Sequence, residues 1–310
     1  MTEKIDYVYL TSAPHSGSTL IACLLAAHPM VSTVGEFSSP FSPSEKCSCG
    51  SRYGDCNFWA DWKQQAADAG IAFDPGKQAL KLAPEPGSLT DSFYYYQFSK
   101  RAVARIRDTL FKRMFPLKTK TFSRRLRTSV DLAGILCGRE KTRIFLDTSK
   151  NPFQIRFLRD CPNINLKVIF LVRDGRAVMN SLLSKETIYT PQSAAETWRW
   201  CNKTGQGICD TYVPEKNLFH LKLEALCDNP GDTLAQLGDF LELDGVPDLD
   251  FNSDYHIVGN YMRHTFDGII RPHDEKWRQH LSRENLDIFN RIGGRMNREF
   301  GYMAKGEGTS

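Results

Sequence analysis

The stretch from Ile5 to Glu36, IDYVYLTSAPHSGSTLIACLLAAHPMVSTVGE, constrains this chain more than any other. An apolar, β-branched and aromatic run from Ile5 to Leu10 passes into small residues, Thr11-Ser12-Ala13-Pro14-His15-Ser16-Gly17-Ser18-Thr19, and then into an apolar helical pattern from Leu20 to Ala27. This order predicts a strand, a loop and a helix. Ser16, Gly17, Ser18 and Thr19 fall where the first N–H groups of a helix lack partners and the helix dipole favours an anion, which makes them candidate phosphate- or sulfate-binding residues. For the loop taken alone, a tight corner packed with small residues is the alternative. The pattern departs from G-x-x-x-x-G-K-[ST], in which the lysine reaches the β/γ-phosphates and the following hydroxyl holds magnesium. The matching positions here run from Ser12 to Gly17, then Ser18 and Thr19. The lysine is absent.

The rest of the chain alternates strand and helix signals. Val31 to Val34 reads as a second strand that ends in Gly35-Glu36, and Ile144 to Asp147 as another, followed by Thr148-Ser149-Lys150-Asn151-Pro152. Leu166 to Val172, LKVIFLV, is the strongest central-strand signal, a continuous apolar run such as parallel strands buried on both faces require. It ends in Arg173-Asp174-Gly175-Arg176 and opens a helix over Ala177 to Leu183; a strand over 218–221 and a helix over about 231–241 follow. The alternation predicts an α/β fold, a P-loop-type doubly wound parallel sheet flanked by helices, as one domain over 1–310. A helix is expected over 60–69, and two more over 91–137 carry aromatic residues (Phe93 to Phe98) and many arginines. The segment from about 58 to 140 therefore reads as a helical insertion, either a cap that recognises a substrate or ordinary helix packing. A last helix is expected over about 283–300. Ligands of open α/β sheets bind at the carboxyl ends of strands, so Arg173 shares a rim with the anion loop, and Glu36 is a candidate base there or else a surface acid or helix cap.

The formal net charge of +4 does not by itself argue for a nucleic-acid partner. Its distribution is uneven: residues 100–127 hold eleven Lys/Arg against the single acid Asp108, which reads as a solvated helix face or as a field that steers an anion. No window approaches the roughly 18 consecutive apolar residues of a membrane span, and Met1-Thr2-Glu3-Lys4 shows no signal-peptide pattern, so a cytoplasmic protein is expected. Most of the nine cysteines stand singly in apolar surroundings, as reduced buried thiols do. Cys47, Cys49 and Cys56 cluster, but a four-ligand zinc site normally shows a second C/H pair. The sequence offers none nearby, which favours a structural or redox-labile loop and no metal site.

Three blocks taken together resemble the PAPS-dependent sulfotransferases, PAPS being 3′-phosphoadenosine 5′-phosphosulfate. They are Ala13-Pro14-His15-Ser16-Gly17-Ser18-Thr19-Leu20, Ser149-Lys150-Asn151-Pro152-Phe153, and Phe170 to Arg176 with Ser181. His28-Pro29 and Gly35-Glu36 are similar to the pattern of the tyrosylprotein and bacterial branch. The resemblance implies transfer of a sulfuryl group from PAPS to a hydroxyl-bearing acceptor, with no metal required. It implies that Ser16 to Thr19 hold the 5′-phosphosulfate, that Arg173 and Ser181 hold the 3′-phosphate, that Lys150 stabilises charge on the leaving side, and that Glu36 takes the acceptor proton. Asn260 and Arg263, with Arg271 and Lys276, belong to a loop expected to close over the nucleotide. His15 stands where relatives carry Arg or Lys, replacing a fixed charge by a titratable one. Two other function classes fit strand, loop and helix alone: a P-loop kinase of small molecules, and a nucleotide-binding protein without turnover. The missing lysine and the Lys150 and Arg173…Ser181 blocks favour sulfuryl over phosphoryl transfer; a binding protein would hold the bisphosphate yet turn over no acceptor.

Overall fold

β1 (Ile5–Ser12) lies at the centre of the sheet, between β3 (Ile144–Lys150) and β4 (Ile164–Val172), with β2 (Val31–Thr33) and β5 (Leu218–Lys222) at the edges. The computed structural model describes residues 4–76, 89, 101–245 and 255–303, over which every strand pairing in the sheet is parallel. The aromatic run Phe93 to Phe98 lies outside the described residues. The strand order β2-β3-β1-β4-β5 places the chain's successive crossovers on opposite sides of β1. The carboxyl end of β1 is thereby the topological switch point, where such sheets open a crevice.

Burial on both faces follows from the strand sequences. In β4, Val168, Phe170 and Val172 point into one apolar layer, and Ile169 and Leu171 into the other. β1 divides likewise, Tyr7 and Tyr9 on the first face, Val8 and Leu10 on the second. The second face is covered by α1 (Ser18–Ala26), through Ile21 and Leu24, and further along by a helix over Pro230–Leu241, through Leu234 and Leu237. On the first face lie α2 (Asn57–Asp68), α3 (Arg101–Met114) and α4 (Pro116–Glu140). Leu126, Val130, Leu132, Ala133 and Leu136 of α4 are buried, so the carboxyl half of this helix is a layer of the sheet core.

The basic run over 100–127 is only partly a solvated face. Arg107 is 2% exposed, pairs with Asp108 at 2.9 Å and donates to the Tyr212 hydroxyl at 3.1 Å, while Asp108 also accepts from that hydroxyl at 2.6 Å and from Arg156. The single acid of the run thus neutralises a buried cation instead of standing on the surface, as buried charges require.

After α5 (Ile155–Leu158) and β4, α6 (Gly175–Lys185) leads to α7 (Pro191–Tyr212), a 22-residue helix that the sequence pattern did not reveal. Its buried face combines Trp198, Ile208, Cys209 and Tyr212 with small or polar residues, Ala194, Ala195, Asn202, Thr204 and Gly205, which dilute the apolar stripe. Its start is defined by Thr190, which accepts from Ser193 N while the Ser193 hydroxyl binds back to Thr190 N. The chain then runs through β5, α8 (Leu223–Asp228), α9 (Pro230–Leu241) and α10 (Trp277–His280). The expected terminal helix is two, α11 (Arg283–Ile292) and α12 (Gly294–Glu299), broken at Gly293, where a Cβ would lie 3.2 Å from Phe289 and from Trp198. No helix of the described residues is long and apolar enough to cross a membrane.

Candidate functional site

The loop between β1 and α1 is an anion cradle in its local geometry. Gly17 precedes α1 with φ 97°, a left-handed conformation, and a Cβ there would lie 2.6 Å from Leu223 Cδ1. Only glycine meets both conditions without strain. No side chain caps α1, so the helix's first N–H groups are not occupied by its own residues. Ser16 Oγ and Ser12 Oγ are buried with no hydrogen-bond partner among the described residues. Buried hydroxyls are ordinarily satisfied, and an unsatisfied one beside an uncapped helix start suits a bound oxyanion. Ser18 and Thr19 are also buried, and Thr19 Oγ1 accepts from Asn260 N at 3.4 Å.

His15 and Arg173 meet on one side of this loop. The Arg173 guanidinium donates from Nη1 to the His15 carbonyl at 2.7 Å, and the Arg173 carbonyl accepts from Trp198 Nε1 at 3.1 Å. His15 has φ 56°, and its Nε2 lies 2.8 Å from Oε1 of Glu186, at the carboxyl end of α6. Burial lowers the imidazole pKa below its usual value; the hydrogen bond to Glu186 acts in the opposite direction but does not prevail. Asp174 starts α6 by accepting from Arg176 N at 2.9 Å and pairs with the Arg176 guanidinium at 2.7 Å, which in turn lies 4.1 Å above the Trp277 ring. These contacts explain the Arg-Asp-Gly-Arg sequence: the second arginine is structural and the first is left facing the cleft.

That cleft has a volume of about 440 Å³ and brings together His15, Gly17, Arg173, Ser181 and Asn260. Lys185, Arg271 and Lys276 also line it, so its charge favours an anionic ligand.

Glu36 and Lys150 form a second group, at the carboxyl ends of β2 and β3. Lys150 Nζ lies 2.5 Å from Glu36 Oε1, while Ser39 Oγ donates to Oε2 at 2.9 Å. Lys150 is in the left-handed region, φ 68°, where the β1–β3 register shifts and Thr11 Oγ1 donates to its carbonyl at 2.9 Å. A left-handed non-glycine residue is costly, by about 1–3 kcal/mol, and persists only where surrounding structure over-determines it. Here the surroundings are well anchored. Buried Asp147, its carboxyl pushed up to about 6 by burial, accepts from the Tyr7 hydroxyl at 2.9 Å and from Ser149 N at 2.9 Å. Ser149 Oγ accepts in turn from Ser38 N at 2.8 Å, joining β3 to the loop after Glu36. Gly35, φ 71°, bridges Val258, and a Cβ there would lie 2.2 Å from the Val258 carbonyl. Glu36 N donates to that same carbonyl at 2.9 Å.

The fold thus gathers Ser16 to Thr19, His15, Arg173 and Ser181 about one loop, with Asn260 against it and the Glu36–Lys150 pair on the neighbouring strand ends. Arg263 is turned elsewhere: its guanidinium donates to the Gly259 carbonyl and lies beside Tyr53, and it does not line the cleft. Sequence reasoning missed Lys185 and Glu186. The spacing Ser181 to Lys185, one helical turn, was a usable signal; for Glu186, 171 residues from its partner His15, there was none.

The sequence profile of the sulfotransferase family matches residues 8–248. Among solved structures, the chain is similar to the sulfotransferase domain of the curacin biosynthetic pathway, with 19% identity, a TM-score of 0.47, and coverage of 97% of this chain and 99% of that one. It is similar also to the sulfotransferase domain of the Synechococcus PCC 7002 olefin synthase, with 18% identity, TM-score 0.48 and coverage of 98% and 97%. Mouse sulfotransferase SULT7A1 complexed with PAP gives 11% identity, TM-score 0.43 and coverage of 95% and 89%. No curated protein matches the sequence. The family profile spans the anion loop, both flanking strand ends and the Glu36–Lys150 pair, and the chain belongs to the sulfotransferase family.

Proposed function

We propose that the cleft at the ends of β1 and β4 holds PAPS, and that the Glu36–Lys150 pair serves the transfer of its sulfuryl group to an acceptor hydroxyl. The observation that carries this reading is the Glu36–Lys150 ion pair on strand ends that flank an uncapped anion loop. Ser16 to Thr19 bind the 5′-phosphosulfate through backbone N–H groups and hydroxyls. Arg173 and Ser181 hold the 3′-phosphate, the guanidinium giving charge-assisted paired hydrogen bonds, and Asn260 closes on the nucleotide; Arg263 has a supporting part through the Gly259 turn. The bound PAPS supplies an activated sulfuryl group. Glu36, paired with Lys150, removes the acceptor proton, and Lys150 then offers its charge to the leaving side, where negative charge develops. His15 orients the transferring group. No step in this scheme uses a metal ion.

Phe37, next to Glu36, stacks on Trp62 of α2 at 5.5 Å, which supports the start of the 58–140 segment as the acceptor side of the site. The acceptor is a hydroxyl compound; the cofactor and acceptor sites require no nucleic acid or membrane.

The test is a thermal-shift titration. Adenosine 3′,5′-bisphosphate should raise Tm and Mg-ATP should not. Arg173→Ala should weaken bisphosphate affinity by about 10- to 100-fold, the worth of a charge-assisted hydrogen-bonded pair. Stabilisation by Mg-ATP alone would return the kinase reading, and bisphosphate binding without sulfuryl transfer to any hydroxyl in an acceptor panel would leave a nucleotide-binding protein.

The same titration tests His15. Its lowered pKa leaves the ring neutral above neutrality, and a bound anion beside it favours protonation, so binding takes up a proton and affinity rises as pH falls. Phosphate monoesters also titrate near about pH 6. The informative comparison, between about pH 8 and about pH 6, is therefore wild type against His15→Asn, with the steeper slope expected for wild type. Equal slopes would remove His15 from contact with the nucleotide.

A further inference from the structure

We propose that Cys47, Cys49, Cys56 and His256 bind a single zinc ion in a closed structural site that pins the chain around residue 256 to the loop carrying Glu36. The three cysteines alone lacked a fourth ligand in the sequence. The fold supplies it from 200 residues away. Among the described residues, the three Sγ atoms and an imidazole nitrogen lie within 4.8 Å of one another.

Three of the six ligand–ligand distances match the edges of a tetrahedron before any ion is placed, and all six are within 4.8 Å. Zinc–sulfur bonds of about 2.3 Å and zinc–nitrogen bonds of about 2.0–2.1 Å put ligand atoms about 3.8 Å apart for two sulfurs and about 3.6 Å apart for sulfur and nitrogen. Cys49 and Cys56 Sγ are 3.7 Å apart, and His256 Nδ1 lies 3.5 Å from Cys47 Sγ and 3.3 Å from Cys56 Sγ. Three soft sulfurs with one imidazole select zinc over magnesium or calcium, and four protein ligands leave no open position for chemistry.

The supporting contacts are those of a built site. Gly50 N donates to the Cys47 carbonyl at 3.0 Å and Cys47 N to the Ser51 carbonyl at 2.8 Å, a tight turn that brings Cys47 and Cys49 together. Cys56 immediately precedes α2, so the helix start fixes its position. The His256 ring lies flat on Phe58, 4.1 Å between centroids and 9° between planes. Ser48 brackets the histidine, its hydroxyl donating to the Tyr255 carbonyl and accepting from Ile257 N at 2.8 Å. Cys47 and Cys56 are buried.

The location gives the site its consequence. Val258, two residues beyond His256, is the bridge partner of Gly35 and accepts from Glu36 N, and Asn260 N donates to Thr19. An ion here therefore fastens the segment that touches both the base and the anion loop. It supplies folding free energy and takes no part in sulfuryl transfer.

Elemental analysis of the full-length chain, purified without chelators under reducing conditions, should find one zinc per molecule. Removal by a mercurial and chelator should lower Tm by several degrees, and zinc should restore it. Cobalt(II) added to the apoprotein should give a thiolate-to-cobalt charge-transfer band and the intense visible bands of a tetrahedral ion. Cys49→Ser and His256→Ala should lose zinc in the presence of a competing chelator, and His256→Cys should retain it. Absence of both zinc and the cobalt spectrum in the wild-type chain would overturn the proposal whether or not the variants fold. So would zinc retained unchanged in Cys49→Ser and His256→Ala, or a Cys49–Cys56 disulfide in the freshly isolated reduced protein.

Discussion

Glu36→Gln is expected to lower sulfuryl transfer by about 10²- to 10⁴-fold, the usual contribution of a positioned general base, while the bisphosphate still raises Tm as in wild type. The substitution keeps the side chain's size and its hydrogen bond from Ser39, which donates at 2.9 Å, and removes only the basic oxygen that faces Lys150 at 2.5 Å. The pair is mostly buried, 22% exposed for the lysine and 16% for the glutamate, so leaving Lys150 without its carboxylate partner also costs stability, which the Tm of the unliganded variant reads separately from turnover. Turnover measured with labelled PAPS and the best acceptor of a hydroxyl panel reads the effect. Full activity in Glu36→Gln would exclude this carboxylate as the base.

Lys150→Ala should lower the same rate by about 10²- to 10³-fold, as removal of one preorganised donor to developing charge does. It also releases Glu36 from its partner. The double variant should therefore lose less than the product of the two single effects, because the first substitution has already dissolved the pair. Strictly multiplicative losses would mean that the two residues act separately, and a normal rate in Lys150→Ala would place the charge stabilisation elsewhere, with Lys185 of the cleft the next residue to substitute.

The sheet was legible because its signals are local. LKVIFLV can hardly be other than a doubly buried strand, and the β1–loop–α1 unit combines a strand run, small residues and an apolar helix face within 36 residues. The loop after β1 and Arg173 were legible as positions for the same reason, each sitting at the junction of a strand and a helix, whereas Ser181, inside α6, was singled out only by the family resemblance. α7 went unread although it is amphipathic: its buried stripe, with Trp198, Ile208, Cys209 and Tyr212, is interrupted by the polar or small Asn202, Thr204, Gly205 and Thr211. Arg263 read as a nucleotide contact from its position in a basic loop. In the folded chain the short turn after Asn260 sends its guanidinium back to Gly259.

The sequence by itself determined the fold class, the strand–loop–helix unit at Ile5 to Ala26 and the ends of the neighbouring strands, since those depend on neighbours within a few residues. Only the tertiary structure decided which distant groups meet there. Parallel pairing sets Lys150 opposite Thr11 and beside Glu36, the end of α6 brings Glu186 to His15, and the return of the chain at Val258 onto Gly35 sets His256 among three cysteines. Each of these meetings joins residues far apart in the chain, and their distances are fixed by strand register and helix packing, which no local pattern encodes.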